Sequence, residues 1–212
     1  YGKTVIKLPT TTNGEPDWRW MESYVDLLHS KPLTTKNVAN IEAKSLKIDD
    51  WANFIVDDLF EIINGKGITV EEIESNPGDF EAVQSGEGNN GVMGYISKAY
   101  CRNKGYSYCE EACLTVARSG SSGYVSFHEN GCVVGDSAKI LLLKKHEAKS
   151  KQTYLFLQTL LAANRFKYTY GRKVTEALYG KTVIKLPTTT NGEPDWQYME
   201  NYIKSLSYGD RL

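Results

Sequence analysis

Apolar residues recur at Trp18, Met21, Val25 and Leu28, and again at Trp196, Met199, Ile203 and Leu206, so both ends of the chain step by three, four and three. That spacing predicts a helix with one narrow apolar seam, of the kind that pairs with another helix. Between the two, Phe54-Ile-Val and Leu59-Phe-Glu-Ile-Ile predict short strands, parted by Asp57-Asp58 and closed by Asn64-Gly-Lys-Gly67. Thr69, placed ahead of three glutamates, predicts a short capped helix over 69–74. From Phe80 to Leu143 the pattern is many short β segments cut by glycine, at 91–96, 112–117, 123–127, 132–134 and 138–143. Residues 150–166 switch to helical period, with Tyr154, Leu157 and Leu161 on one face and Phe156 and Leu160 beside it. Residues 30–43 are polar and broken by proline, as in a connector, and Asn76 to Phe80 reads as a turn.

The two helical patterns belong to a repeat, since Tyr1 to Trp18 and Tyr179 to Trp196 are identical. Each copy predicts an extended Val-Ile-Lys-Leu-Pro segment, a turn at Asn-Gly and a helix opening near Pro-Asp. The fold class that follows is α+β: a β-rich body with one packed helix, flanked by repeat helices able to form an antiparallel pair or a coiled-coil spacer. Its expected divisions are 1–45, 46–166 and 167–212. The chain begins on Tyr1, inside a repeat and without an initiator Met, as expected of part of a longer product or of a processed or engineered fragment.

Composition is ordinary for a globular protein, at 212 residues with 41% hydrophobic and 24% charged. No apolar run approaches the ~20 residues of a membrane span and the first residues do not read as a signal peptide, so the expected location is the cytoplasm. The net charge of −1 hides an asymmetry: residues 49–90 carry eleven acids against Lys66 alone, whereas residues 91–173 carry thirteen Lys or Arg against five acids. Either a basic part lies on a polyanion, or the two stretches interleave in the fold and cancel. Cys101, Cys109, Cys113 and Cys132 lack metal-ligand spacing and fit reduced thiols filling a core.

Catalytic apparatus is hard to find. Pro16-Asp17 followed by Glu42-Ala43-Lys44 formally satisfies a metal-dependent nuclease pattern, but Pro194-Asp195 repeats its first half with nothing after it, which favours helix-entry chemistry in both copies. His29, His128 and His146 have no partner spacing and read as solvated side chains. No catalytic residue, metal or cofactor is therefore expected. Four loops instead carry groups that contact phosphates and base edges: Asn64 to Gly67, Ser85 to Gly91, Ser119 to Gly123 with Arg118 at its base, and Tyr168 to Lys173.

Leu59-Phe-Glu-Ile-Ile-Asn-Gly-Lys66, Asn89-Asn-Gly-Val-Met-Gly-Tyr-Ile96, Leu114 to Val125, Phe166 to Lys173 and the Lys-Leu-Pro…Asn-Gly-Glu-Pro-Asp-Trp repeat together resemble the DNA-specificity subunits of type I and related type II restriction-modification enzymes. The resemblance covers nearly the whole chain. It implies one target recognition domain from Leu46 to about Phe166, with each repeat a conserved-region copy whose helix pairs through the seams named above. It also implies a non-catalytic subunit that reads double-stranded DNA and works with a methyltransferase subunit and a restriction subunit. The family usually carries two recognition domains and reads a bipartite target. A chain with one is either a fragment covering one half or a half-subunit that pairs with a second copy.

On this reading Lys66, Arg118, Arg172 and Lys173 grip phosphate, Asn89, Asn90, Ser119, Ser121 and Ser122 read base edges, and Tyr170 belongs to the same set. The alternatives are an assembly or decoy half-subunit that acts by helix pairing without reading DNA, and a stand-alone DNA-cutting enzyme.

Overall fold

A computed structural model describes residues 7–30, 46–168 and 171–212, the backbone alone for 28–30. Leu28 and His29 as side chains, Tyr170, the Glu42-Ala43-Lys44 motif and most of the connector lie outside the described residues. The chain forms two compact units, 1–36 and 37–212.

In the first unit a hydrogen-bonded turn leads into helix α1 (Trp18–Ser30). Thr11 N–H donates to the Glu15 carbonyl at 2.8 Å, Gly14 takes φ +81°, and the Asp17 carboxylate caps the helix by accepting from Trp20 N–H at 2.9 Å. Gly14 is needed because a side chain there would be strained at that φ. Along α1, Trp20 and Tyr24 stack at 5.1 Å, while Trp18 and Val25 are exposed.

The second unit contains β1 (Ala52–Ile55), α2 (Val56–Leu59), β2 (Phe60–Asn64), α3 (Val70–Ser75), β3 (Pro77–Val83), β4 (Val92–Ile96), α4 (Lys98–Lys104), β5 (Tyr108–Cys109), β6 (Cys113–Ala117), β7 (Val125–His128), β8 (Cys132–Val134), β9 (Ala138–Leu143), α5 (Lys151–Ala163), α6 (Glu176–Gly180), β10 (Val183–Leu186) and α7 (Trp196–Ser205). One four-stranded sheet runs β2-β9-β6-β7, entirely antiparallel. A second runs β4-β3-β8-β5, in which β3 and β8 are parallel. β1 and β10 form an antiparallel pair of their own. The mixed α and β fold matches the expected class, and the segments predicted from alternation are present as β2, β4, β6, β7, β8 and β9.

Burial explains why these elements stay together. Phe60, Leu114, Leu141 and Leu143 from the first sheet meet Tyr154, Leu157 and Leu161 from α5 in one core. Ile184 and Leu186 of β10 and Met199 and Ile203 of α7 join the same core, where Tyr202 meets Phe156 edge-on at 5.8 Å. The Cys109, Cys113 and Cys132 thiols fill a smaller cluster with Val134 and Ile140. All four cysteines are free and buried.

The structure differs from the sequence expectation in two places. Residues 76–80 are not a turn: Asn76 ends α3 and Pro77 already opens β3. Pro77 is tolerated there because a strand's first residue can do without a ladder donor. His128 is not solvated, since it is 2% exposed and bridges Glu81 and Thr115. Of the two arrangements left open for the acidic and basic stretches, the structure has the interleaved one, because β2 pairs with β9 and β3 lies between β4 and β8. They interleave in both sheets.

Candidate nucleic-acid interface

Short polar connections between core strands come together around Arg118, at the end of β6. Its N–H donates to the Ser137 carbonyl at 2.7 Å, and its own carbonyl accepts from Val174 N–H at 3.1 Å and from the Ser122 hydroxyl at 2.9 Å. Three chain segments therefore hold its backbone. The guanidinium reaches the Asp136 carbonyl at 3.2 Å, and among the described residues no carboxylate lies within 4 Å of it.

The Ser119 to Gly123 turn is tied down rather than floppy. Gly120 and Gly123 take φ +67° and +78°, and Tyr124 N–H closes on the Ser121 carbonyl at 2.9 Å. Ser119 N–H donates to the Ser85 hydroxyl at 3.3 Å; that hydroxyl donates to the Ser137 carbonyl at 2.5 Å, and Ser85 N–H donates to the Ser137 hydroxyl at 3.0 Å. Ser137 in turn donates to the Gln84 side-chain oxygen. This serine and glutamine latch joins three turns that are far apart in sequence. Ser119 and Ser121 remain partly accessible, whereas Ser122 is 4% exposed with its hydroxyl engaged by Arg118.

Asn89 and Asn90 are exposed on the neighbouring turn with φ of +49° and +53°, followed by Gly91 at +76°. Asparagine tolerates that left-handed region better than most residues, so the Asn-Asn-Gly run fits a turn that displays two amides. An ion pair between Arg165 and Glu87 anchors this turn, and the arginine holds the Glu87 carboxyl below its usual range.

Gly65 approaches Gly135 so closely that a Cβ would stand 1.9 Å from the Gly135 carbonyl oxygen. That contact brings the Asn64 to Gly67 loop to the same side of the body. Lys66 is exposed there and donates to the Gly105 carbonyl at 2.5 Å, while Arg172 and Lys173 are exposed just before Val174. All four loops named from the sequence are thus linked to one another through Arg118, Ser85 and Gly135. Tyr170 lies outside the described residues.

Sequence reasoning missed the latch and one cation. Lys139 on β9 is 6% exposed beside Arg118, and its ammonium donates to the Asn64 side-chain oxygen. The signal was present: one lysine inside the otherwise apolar run Ala138-Lys-Ile-Leu-Leu-Leu143.

The seam residues are placed differently in the two copies. Met199 and Ile203 are buried against the core containing α5, and Trp196 packs partly on it. Leu206, at the end of α7, is 38% exposed, whereas Trp18 is 67% and Val25 47% exposed on α1, with Met21 half-buried. Among the described residues no group of His, Cys, Asp or Glu is arranged to hold a metal, and no helix is long and apolar enough to cross a membrane.

The amides, hydroxyls and guanidinium groups that these turns carry are of the kinds that contact phosphates and base edges. The chain belongs to the family described as Type I restriction modification DNA specificity domain, which it matches over residues 48–209. It is 28% identical over 196 residues to the type II restriction enzyme specificity subunit S.BcgI of Heyndrickxia coagulans, covering 91% of this chain and 55% of that protein. The HsdS subunit from Thermoanaerobacter tengcongensis shares the fold at a TM-score of 0.50 and 11% identity, over 91% of this chain and 44% of that one. The S subunit of a type I restriction-modification system from M. genitalium aligns at 0.49 and 17% identity, over 66% and 35%. The chain spans about half the length of the curated relative it matches. The expected non-catalytic character agrees with membership of a family of specificity domains.

Proposed function

We propose that this chain reads one half of a bipartite DNA target and places a methyltransferase subunit, and through it a restriction subunit, on that sequence. The recognition body on this reading is 46–166, with 1–45 and 167–212 as the two conserved-region copies. The observation that carries it is the linkage of four separate polar loops through Arg118, Ser85 and Gly135, with the Arg118 backbone fixed by three segments while its guanidinium has no carboxylate partner within 4 Å among the described residues. A donor fork on a fixed backbone, with no carboxylate within 4 Å among the described residues, suits a DNA phosphate or a guanine edge. Asn89, Asn90, Ser119 and Ser121 supply neighbouring polar groups for base edges. Lys66, Arg172 and Lys173 supply positive charge along the backbone.

Electrophoretic mobility shift with a salt titration tests the reading. The full chain binds duplex DNA with an affinity that falls linearly in log salt. Arg118→Ala weakens binding by about 1–3 kcal/mol and flattens sequence preference if the guanidinium touches a base. Unchanged affinity and preference would remove Arg118 from the interface.

The exposed Trp18 and Val25 on α1 favour a second, compatible role for the repeat helices: pairing with a helix of a second copy or of a partner subunit. Sedimentation of the full chain and of Val25→Glu separates pairing from its absence.

A further inference from the structure

Lys139 occupies a position that a lysine rarely takes without a counter-charge. It sits in the central strand β9, opposite Asn64 on β2 and Val116 on β6, and is 6% exposed. Lysine is almost never this buried unless paired, because an ammonium taken out of water loses its hydration. Among the described residues no carboxylate lies within 4 Å of it, and its recorded acceptor is the Asn64 amide oxygen. The other end of that amide donates to Glu176 Oε2 at 2.6 Å, so the acidic residue reaches Lys139 through a neutral group. An ammonium has three donors, and among the described residues the Asn64 amide oxygen is its acceptor.

Arg118 opens onto the same cavity, of about 280 Å³, which Asn64, Lys139, Asp136 and Glu176 also line. Burial first, and then the nearby Arg118 charge, push the Lys139 pKa below the usual lysine range, while Glu176 pulls the other way. Two cations thus share one pocket with the Asp136 and Glu176 residues, and no carboxylate oxygen lies within 4 Å of either cation among the described residues, so an entering anion can come between them.

We propose that Lys139 and Arg118 together seat one phosphate of the DNA backbone in this cavity. A phosphate fits better than a base edge because it brings a full negative charge between two cations, whereas even the all-acceptor guanine edge is neutral. Asn64 is the positioning residue: it holds the ammonium by its oxygen and Glu176 by its nitrogen. Glu176 trims the positive charge of the empty seat and weakens its hold on the anion. The seat rests on the DNA-reading function proposed above and adds a fixed register point to it.

The test uses the full chain and a fluorescent duplex of mixed sequence, with affinity measured across a salt series. Lys139→Met keeps the length of the stem and removes the charge; it lowers the slope of log affinity against log salt by ~1 without changing which sequences are preferred. Lys139→Arg keeps the wild-type slope. Glu176→Gln, at an exposed position that leaves folding intact, tightens binding at low salt. A Lys139→Met slope equal to wild type, or a Glu176→Gln affinity equal to wild type, overturns the seat while the wild-type binding curve leaves the function standing. A changed sequence preference in Lys139→Met overturns it in favour of base reading. An unaltered chain that binds no duplex even at low salt removes both the seat and the function it rests on.

Discussion

Glu72 shows how one carboxylate can hold a corner of this fold. Its side chain accepts from the Tyr106 hydroxyl at 2.7 Å, from the Thr69 N–H at 3.0 Å and from the Tyr100 hydroxyl at 3.0 Å. The Tyr106 bond first, and the Thr69 bond next, bring its pKa from 4.5 down to about 2. A depressed carboxylate stabilises the fold fully above its unfolded value, and that contribution is lost as pH falls through the folded one. The stability difference between wild type and Glu72→Gln in urea denaturation should therefore be constant above pH 4.5 and close toward about 2. A difference that persists at the acid end would mean that the charge is not what matters. Gly65 is the other residue on which much turns. Its Cβ would collide with the Gly135 backbone, and neither chain can retreat without breaking the Lys66 N–H to Val134 carbonyl bond at 3.2 Å. Gly65→Ala should lower the melting temperature and weaken DNA binding together, since it displaces a loop of the candidate interface.

At the scale of elements, the repeat provides an internal control. From Thr10 to Asp17 and from Thr188 to Asp195 the identical sequence gives the same local structure twice: Thr188 bridges Pro194 as Thr10 bridges Pro16, Gly192 matches Gly14 with φ +80° against +81°, and Asp195 caps α7 as Asp17 caps α1. Their surroundings are not the same. Met199 is fully buried against the core, whereas Met21 is half-buried. Met199→Ala should cost about 2–5 kcal/mol of stability, as large apolar truncations in cores do. Met21→Ala should cost less than about 1 kcal/mol. Equal urea midpoints for the two variants would show that the helices contribute alike. The short helix α3 was legible in full, because Thr69 and Glu72 form a reciprocal capping box, and Thr69→Ala should cost about 1 kcal/mol. Helices α4 and α6 were not legible. Each is seven residues or fewer, too short to show a period, and each is fixed by its Ser97 or Thr175 cap and by tertiary contacts.

For the whole molecule, the charge asymmetry along the sequence gives way to mixing in space, since strands from the acidic stretch hydrogen-bond to strands from the basic one. Positive character at the candidate interface then comes from a few placed cations rather than from a basic half. This predicts a modest salt slope, set by the number of phosphates gripped rather than by the thirteen basic residues of 91–173. A slope approaching that larger number would point to diffuse binding over the surface.

What the sequence determined by itself was local: strand and helix positions wherever apolar period, caps and glycine turns speak within a few residues, and the loops Asn64 to Gly67, Ser85 to Gly91 and Ser119 to Gly123 as polar turns. Backbone sterics and short-range hydrogen bonds decide these features, and they act within one turn of chain. Tertiary structure alone decided the rest. It put His128 and Lys139 inside, joined Ser85, Ser119 and Ser137 into one latch, and buried Met199 while leaving Met21 half-buried. Those outcomes depend on which strands pair across dozens of residues. No short window of sequence records that pairing, because it follows from burying the whole core at once.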